Sequence, residues 1–188
     1  MDVTSELLQP IRRRKLKKLF QILDANGNGV ITYGDYEEVL DNLCQARGWR
    51  PFSREYDDLR RALTGYWEAL QQLADMNRDC AITLDEWYRR WFEVYKGLTE
   101  EDLPDWFWSY SDRLLDAIDF DDDGEISGED YESFLKAHKI QEDITPTLER
   151  LGLSGRSHVT RERMRSFVAQ FYLSDDPDAP GSWLYGEF

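Results

Sequence analysis

Apolar residues return every three to five positions along much of this chain, the spacing of one buried helical face. Leu8, Ile11, Leu16, Leu19, Phe20 and Leu23 make the first such stripe, and Tyr36, Val39, Leu40 and Leu43 the second. Gly48 and Pro51 then interrupt the pattern. A longer stripe follows through Tyr56, Leu59, Leu63, Tyr66, Trp67, Leu70 and Leu73, and another through Trp87, Trp91, Phe92 and Tyr95. Lys96-Gly97-Leu98 reads as a break between two halves. Beyond it, Pro104 suits the first turn of a helix carrying Trp106, Tyr110, Leu114, Leu115 and Ile118. Shorter stripes follow at Tyr131, Phe134 and Leu135, at Leu148 and Leu151, and at Met164, Phe167, Val168 and Phe171. Pro177 and Pro180 end regular structure. The predicted fold is all-α, helix–loop–helix four times over. Tryptophans at helical spacing read as core. The basic run Arg12-Arg13-Arg14-Lys15 with Lys17 and Lys18 mostly occupies the opposite face of the first helix. It is expected to be a solvated face that partly offsets an acidic remainder, although such a helix can also bind anionic lipid or a partner.

The polar stretches between paired stripes share a pattern. Asp119-Phe120-Asp121-Asp122-Asp123-Gly124-Glu125-Ile126-Ser127-Gly128-Glu129-Asp130 has carboxylates at places one, three, five and twelve, glycine at six, an aliphatic residue at eight and a hydroxyl at nine. A twelve-residue calcium loop takes side-chain oxygens from those four places and the backbone carbonyl of place seven. Place nine often acts through a water, and glycine at six permits the sharp turn. The third loop therefore offers Asp119, Asp121, Asp123, the Glu125 carbonyl, Ser127 and Asp130. The first offers Asp24, Asn26, Asn28, the Val30 carbonyl, Thr32 and Asp35. The second offers Asp75, Asn77, Asp79, the Ala81 carbonyl, Thr83 and Glu86, with Cys80 at place six, where a positive φ is uncomfortable for a residue with a Cβ. The stretch Gly152–Arg163 keeps Val159 and Thr160 but has lost every carboxylate ligand, and Arg163 stands at the last place. Helix capping alone accounts for Thr32 with Asp35, Thr83 with Glu86 and Ser127 with Asp130. It leaves the recurring oxygens at places one, three and five unexplained.

The three loops differ. Glu86 is long enough to bind bidentately, whereas Asp35 and Asp130 are one methylene shorter and favour six-fold coordination, so Mg2+ is expected to compete with Ca2+ at loops 1 and 3. Charge count ranks the third loop highest. Loops of this kind pair through a short β contact at place eight, which predicts Ile31 against Ile82 and Ile126 against Val159. That contact explains why the fourth loop retains its aliphatic residue.

The chain has 188 residues, 41 % hydrophobic, enough for one large domain or two small ones. A net charge of −15 argues against nucleic-acid binding and suits a cation binder. Three divalent ions would bring it to about −9. Met1-Asp2-Val3-Thr4-Ser5 shows no apolar signal segment and no glycine for myristoylation, and no stretch approaches a membrane span. Two cysteines, Cys44 and Cys80, are too few for a disulfide framework, so a cytoplasmic chain with reduced thiols is expected. His138 and His158 stand beside no nucleophile, and no Walker-type glycine loop is present, so no enzyme is expected.

In these loops, in Leu103-Pro104-Asp105-Trp106 before the third, and in the ending Pro180-Gly181-Ser182-Trp183-Leu184-Tyr185-Gly186, the chain resembles the invertebrate sarcoplasmic calcium-binding proteins and their relative calexcitin. The resemblance covers nearly the whole chain. It implies four EF-hand units in two paired halves, residues 1–97 and 98–173, with a tail at 174–188 packed on the core. It also implies a cytosolic buffer binding three Ca2+ ions, acting as a monomer, with a calexcitin-like sensor as the alternative. A calcium-triggered photoprotein or luciferin-binding protein is more remote, since those depend on a working fourth loop and on histidines around the luciferin. Only Met1, Met76 and Met164 are present, and they form no stripe of the kind that lines a sensor's groove.

Overall fold

The computed structural model describes residues 10–95, 98–138, 140 and 143–188. The helices are α1 (Pro10–Leu23), α2 (Tyr33–Arg47), α3 (Arg54–Ala74), α4 (Leu84–Tyr95), α5 (Asp105–Ile118), α6 (Gly128–Ala137), α7 (Thr145–Leu151) and α8 (Arg161–Leu173). Four short strands lie in the loops of successive helix pairs: β1 (Val30–Ile31), β2 (Ile82–Thr83), β3 (Glu125–Ser127) and β4 (His158–Thr160). Leu8 and the break at Lys96-Gly97 fall outside the described residues. Pro104 stands one residue before α5, as its N-cap, rather than in the first turn.

Local signals set the helix ends. Ser53 accepts a hydrogen bond from the Tyr56 amide at the start of α3, and Thr160 from the Arg163 amide at the start of α8. Gly48 and Gly152 close α2 and α7 in the left-handed conformation. β1 pairs antiparallel with β2, Ile31 opposite Ile82, and β3 with β4, Ile126 opposite Val159. Ile31, Ile82 and Ile126 have no solvent exposure. The predicted loop contacts are therefore present, and the fourth loop does serve as a structural partner.

The helix pairs meet through aromatic faces. α3 packs on α5, α2 on α6, and α1 on both α4 and α8. Tyr66 stacks on Tyr110 with ring centroids 4.0 Å apart, and Trp106 meets Tyr66 edge-on. Trp91 and Phe107 close on Tyr172 at 4.9 and 5.0 Å. Trp87 and Trp91 are buried, as their spacing predicts.

The tail is ordered differently from its proline-based expectation. Pro180–Trp183 forms a 3-10 turn against α8. Leu184 and Tyr185 enter the core, whereas Trp183 and Phe188 pack on each other at its rim. Arg150 lies over the Trp183 ring and Arg14 over the Phe188 ring.

The basic face of α1 also needs correction: Lys15 is 1 % exposed. Its ammonium donates to the Ser174 carbonyl at 2.7 Å, approaches the Gln170 carbonyl and Ser182 Oγ, and lies over the Phe171 ring. Arg12 joins it, donating to the Leu173 carbonyl and to Asp175. Lys15 follows Ile11 and precedes Leu19 at helical spacing, so it turns inward with them. These two cations meet the orphan carbonyls at the end of α8, where a positive charge is favoured.

Candidate metal-binding loops

Each of the first three loops is wound by the same hydrogen bonds. The carboxylate at place one accepts the amides of places five and six: Asp24 from Asn28 and Gly29, Asp75 from Asp79 and Cys80, Asp119 from Asp123 and Gly124. Place three accepts from the amide of place five, as Asn26, Asn77 and Asp121 do. Place five accepts from place seven, so Asn28, Asp79 and Asp123 hold the amides of Val30, Ala81 and Glu125. The carboxylate at place twelve reaches back. Asp35, Glu86 and Asp130 accept from both the amide and the hydroxyl of Thr32, Thr83 and Ser127. Their second oxygens hold Asn26, Met76 and Phe120 at the front of each loop. Within each loop the predicted side chains are thus tied to the loop's own amides and hydroxyls. In the third, the carboxylates of Asp119, Asp121 and Asp123 come within 4.8 Å of one another.

The backbone supplies the turn. Gly29 and Gly124 at place six have φ of 88° and 87°, and Cys80 takes the same left-handed region at 63°. Place four is left-handed as well, at Gly27, Arg78 and Asp122. Sequence reasoning missed this second position, because nothing in Arg78 or Asp122 advertises it.

Electrostatics test whether these residues fit a cation. Asp24, Asp35, Glu86, Asp119 and Asp130 are all buried. Among the described residues, no Lys or Arg pairs with Asp24, Asp35, Glu86 or Asp130. Buried carboxylates without a counter-charge are costly, and burial accordingly pushes the Asp119 carboxyl above its usual range, against the amides of Gly124 and Asp123 and the Arg161 charge. A hard divalent cation supplies the missing charge, and an all-oxygen donor set is what such an ion prefers. The residues present fit Ca2+ or Mg2+.

The third loop has basic neighbours that its own sequence did not reveal. Arg161 Nη2 is 2.5 Å from Asp116 and 3.8 Å from Asp119. His158 Nδ1 stands 3.8 Å from Asp123 and 3.9 Å from Glu125. Arg47 donates to the Asp119 carbonyl and to the Asp122 carboxylate. The fourth loop offers no ring of oxygens, and its Arg163 lies over Phe167.

Comparison with known proteins agrees with this geometry. The EF hand family model matches residues 16–40. The chain is 23 % identical over 183 residues to sarcoplasmic calcium-binding proteins I, III and IV of Branchiostoma lanceolatum, covering 96 % of this chain and 98 % of theirs. It is 20 % identical to Calexcitin-1 of Caenorhabditis elegans, covering 95 % and 88 %. Obelin of Obelia geniculata is 24 % identical, covering 94 % and 89 %. The solved structure of a sarcoplasmic calcium-binding protein from amphioxus superposes with a TM-score of 0.78 at 22 % identity, covering 96 % of this chain and 99 % of that one. The similarity holds along nearly the whole chain, and the fold is that of the amphioxus protein. No helix among the described residues is long and apolar enough to cross a membrane.

Proposed function

We propose that this chain is a cytosolic calcium buffer that takes three Ca2+ ions, one in each of loops 1–3, with Mg2+ competing at loops 1 and 3. The observation that carries the reading is the set of buried carboxylates Asp24, Asp35, Glu86 and Asp130, which have no Lys or Arg partner among the described residues. Asp24, Asn26, Asn28, Thr32 and Asp35 with the Val30 carbonyl would hold the first ion. Asp75, Asn77, Asp79, Thr83 and Glu86 with the Ala81 carbonyl would hold the second. Asp119, Asp121, Asp123, Ser127 and Asp130 with the Glu125 carbonyl would hold the third. When bound, each ion supplies two positive charges. The chain's own part is to hold its oxygens close together and out of water against their mutual repulsion.

Buffering is preferred over sensing because the interior is already filled. The apolar cavity between Tyr110, Leu114, Tyr131, Met164, Tyr172 and Leu184 measures about 30 Å3, room for about one water. The Tyr131 hydroxyl donates to the Leu184 carbonyl across it, so the tail fills this part of the core. Calexcitin-1 and Obelin keep the other two readings in view. Calorimetric calcium titration with and without millimolar Mg2+, followed by tryptophan fluorescence and hydrophobic-dye binding, separates all three. A buffer should take three ions, with Mg2+ weakening two of them, and bind little dye. Strong calcium-dependent dye binding would establish a sensor instead. Light on adding coelenterazine and calcium would establish a photoprotein.

A further inference from the structure

The first and third loops belong to different helix pairs, yet α2 touches both. Asp35 lies in its first turn, 1 % exposed, and ties Asn26 to Thr32 across loop 1. Arg47 ends the helix, about 18 Å further along its axis at 1.5 Å per residue. There its Nη1 donates to the Asp119 carbonyl at 2.6 Å and its Nη2 to the Asp122 carboxylate at 2.7 Å. The side chain is 5 % exposed, and the guanidinium lies over Trp49 and Phe120, 4.8 and 5.2 Å from their centroids.

The choice of atoms is informative. Place one contributes its side chain to a cation and place four contributes nothing. The Asp119 carbonyl and the Asp122 carboxylate are therefore groups in the front of loop 3 that can be gripped without taking an oxygen from an ion. Asp122 also carries the left-handed φ of 58° that opens the turn. Arg47 thus fixes the conformation of the front of the loop and leaves its ligands free.

We infer that Arg47 is a positioning residue for the third loop, and that α2 acts as a rod through which ion binding at loop 1 strengthens ion binding at loop 3; this rests on the three-ion reading. An ion in loop 1 anchors Asp35 and with it the start of α2. The far end of the helix is then fixed, and Arg47 orders the front of loop 3 before its ion arrives. A second ligand that meets a pre-ordered site binds more tightly, and the effect is reciprocal. A plain strut between the halves would stabilise the fold but would not link the two sites.

The test reads each site separately through the amide resonances of Gly29 and Gly124, which donate to Asp24 and Asp119 inside their loops. Asp24→Asn removes one of the two acidic ligands of loop 1, and Ca2+ affinity at loop 3 is measured with and without it. In the native chain, disabling loop 1 should weaken loop 3 by about fivefold or more, the lower end of ordinary coupling between sites. In Arg47→Lys, which keeps the charge but loses the fork that spans two acceptors, disabling loop 1 should leave loop 3 unchanged. Asp122→Gly removes one acceptor from an exposed position that tolerates glycine, and should lower the coupling without unfolding the chain. Equal coupling with and without the fork, or none in the native chain, overturns the inference. A Gly124 amide that ignores Ca2+ altogether overturns the three-ion reading with it.

Discussion

At the scale of single residues, the candidate ligand positions stand out because their chemistry is local: an oxygen donor at each alternate place can be read without knowing the fold. Cys80 was legible as a strained residue for the same reason, and its φ of 63° is the strain expected. It is exposed and makes its loop contact through its amide, not its thiol. Cys80→Gly should therefore keep the loop bonds and remove the left-handed penalty, raising stability by about 1 kcal/mol. A thermal melt of the variant against the native chain checks it, and an unchanged or lower midpoint counts against the strain argument. Lys15 and Arg47 were harder. Their roles depend on carbonyls at the end of α8 and in loop 3, which no spacing in sequence discloses.

At the scale of elements, the helix pairs and both loop contacts follow from period and place eight, and β1–β2 and β3–β4 pair in that register. What the pattern does not show is how closely the third and fourth loops approach. Gly128 opens α6, immediately after the place-nine hydroxyl of Ser127, and a Cβ there would lie 2.6 Å from the Leu153 carbonyl oxygen. That oxygen belongs to backbone and cannot swing away. Gly128 has no left-handed φ to explain it, so its requirement is purely one of distance between two loops. Gly128→Ala should push α6 off the fourth loop and destabilise the fold by about 1–3 kcal/mol, the usual range for overpacking. It should also weaken ion binding at loop 3, because Asp130 rides on the same turn. Denaturant unfolding with and without Ca2+ measures both, and a variant as stable as the native chain would show that the loops can separate freely.

At the scale of the whole molecule, periodicity told which side of each helix is buried but not which helices meet, since any two aromatic faces satisfy the same pattern. The closure of the molecule runs through Lys15, which ties α1 to the end of α8 and to Ser182 in the tail. Burial lowers its pKa from 10.5 to about 8, helped by the Arg12 charge and opposed by Asp175. The unfolded chain therefore holds a proton that the folded chain has begun to release as pH rises from about 8 towards 10.5. More protons on the unfolded state means that stability rises with pH across that window. The gain is at most about 3 kcal/mol, at roughly 1.4 kcal/mol per pKa unit. The buried tyrosines act in the opposite sense. Tyr66 is pushed up to about 12, and Tyr36, Tyr110 and Tyr131 are raised well above their ordinary 10 by burial. Each favours the unfolded state once pH passes 10, where the unfolded phenols ionise and the folded ones do not. The native chain should thus show a rise in melting midpoint from about pH 8, opposed from about pH 9 by Cys44 and cut off near pH 10 by the tyrosines. Lys15→Met keeps the apolar stem over Phe171 and removes the titrating ammonium, so its midpoint should lack the rise above pH 8 and fall from about pH 9, where the buried Cys44 thiol, raised from 9.0 to about 11, begins to favour the unfolded state. Parallel curves for the two proteins across that window would mean that the ammonium is solvated and does not hold the tail.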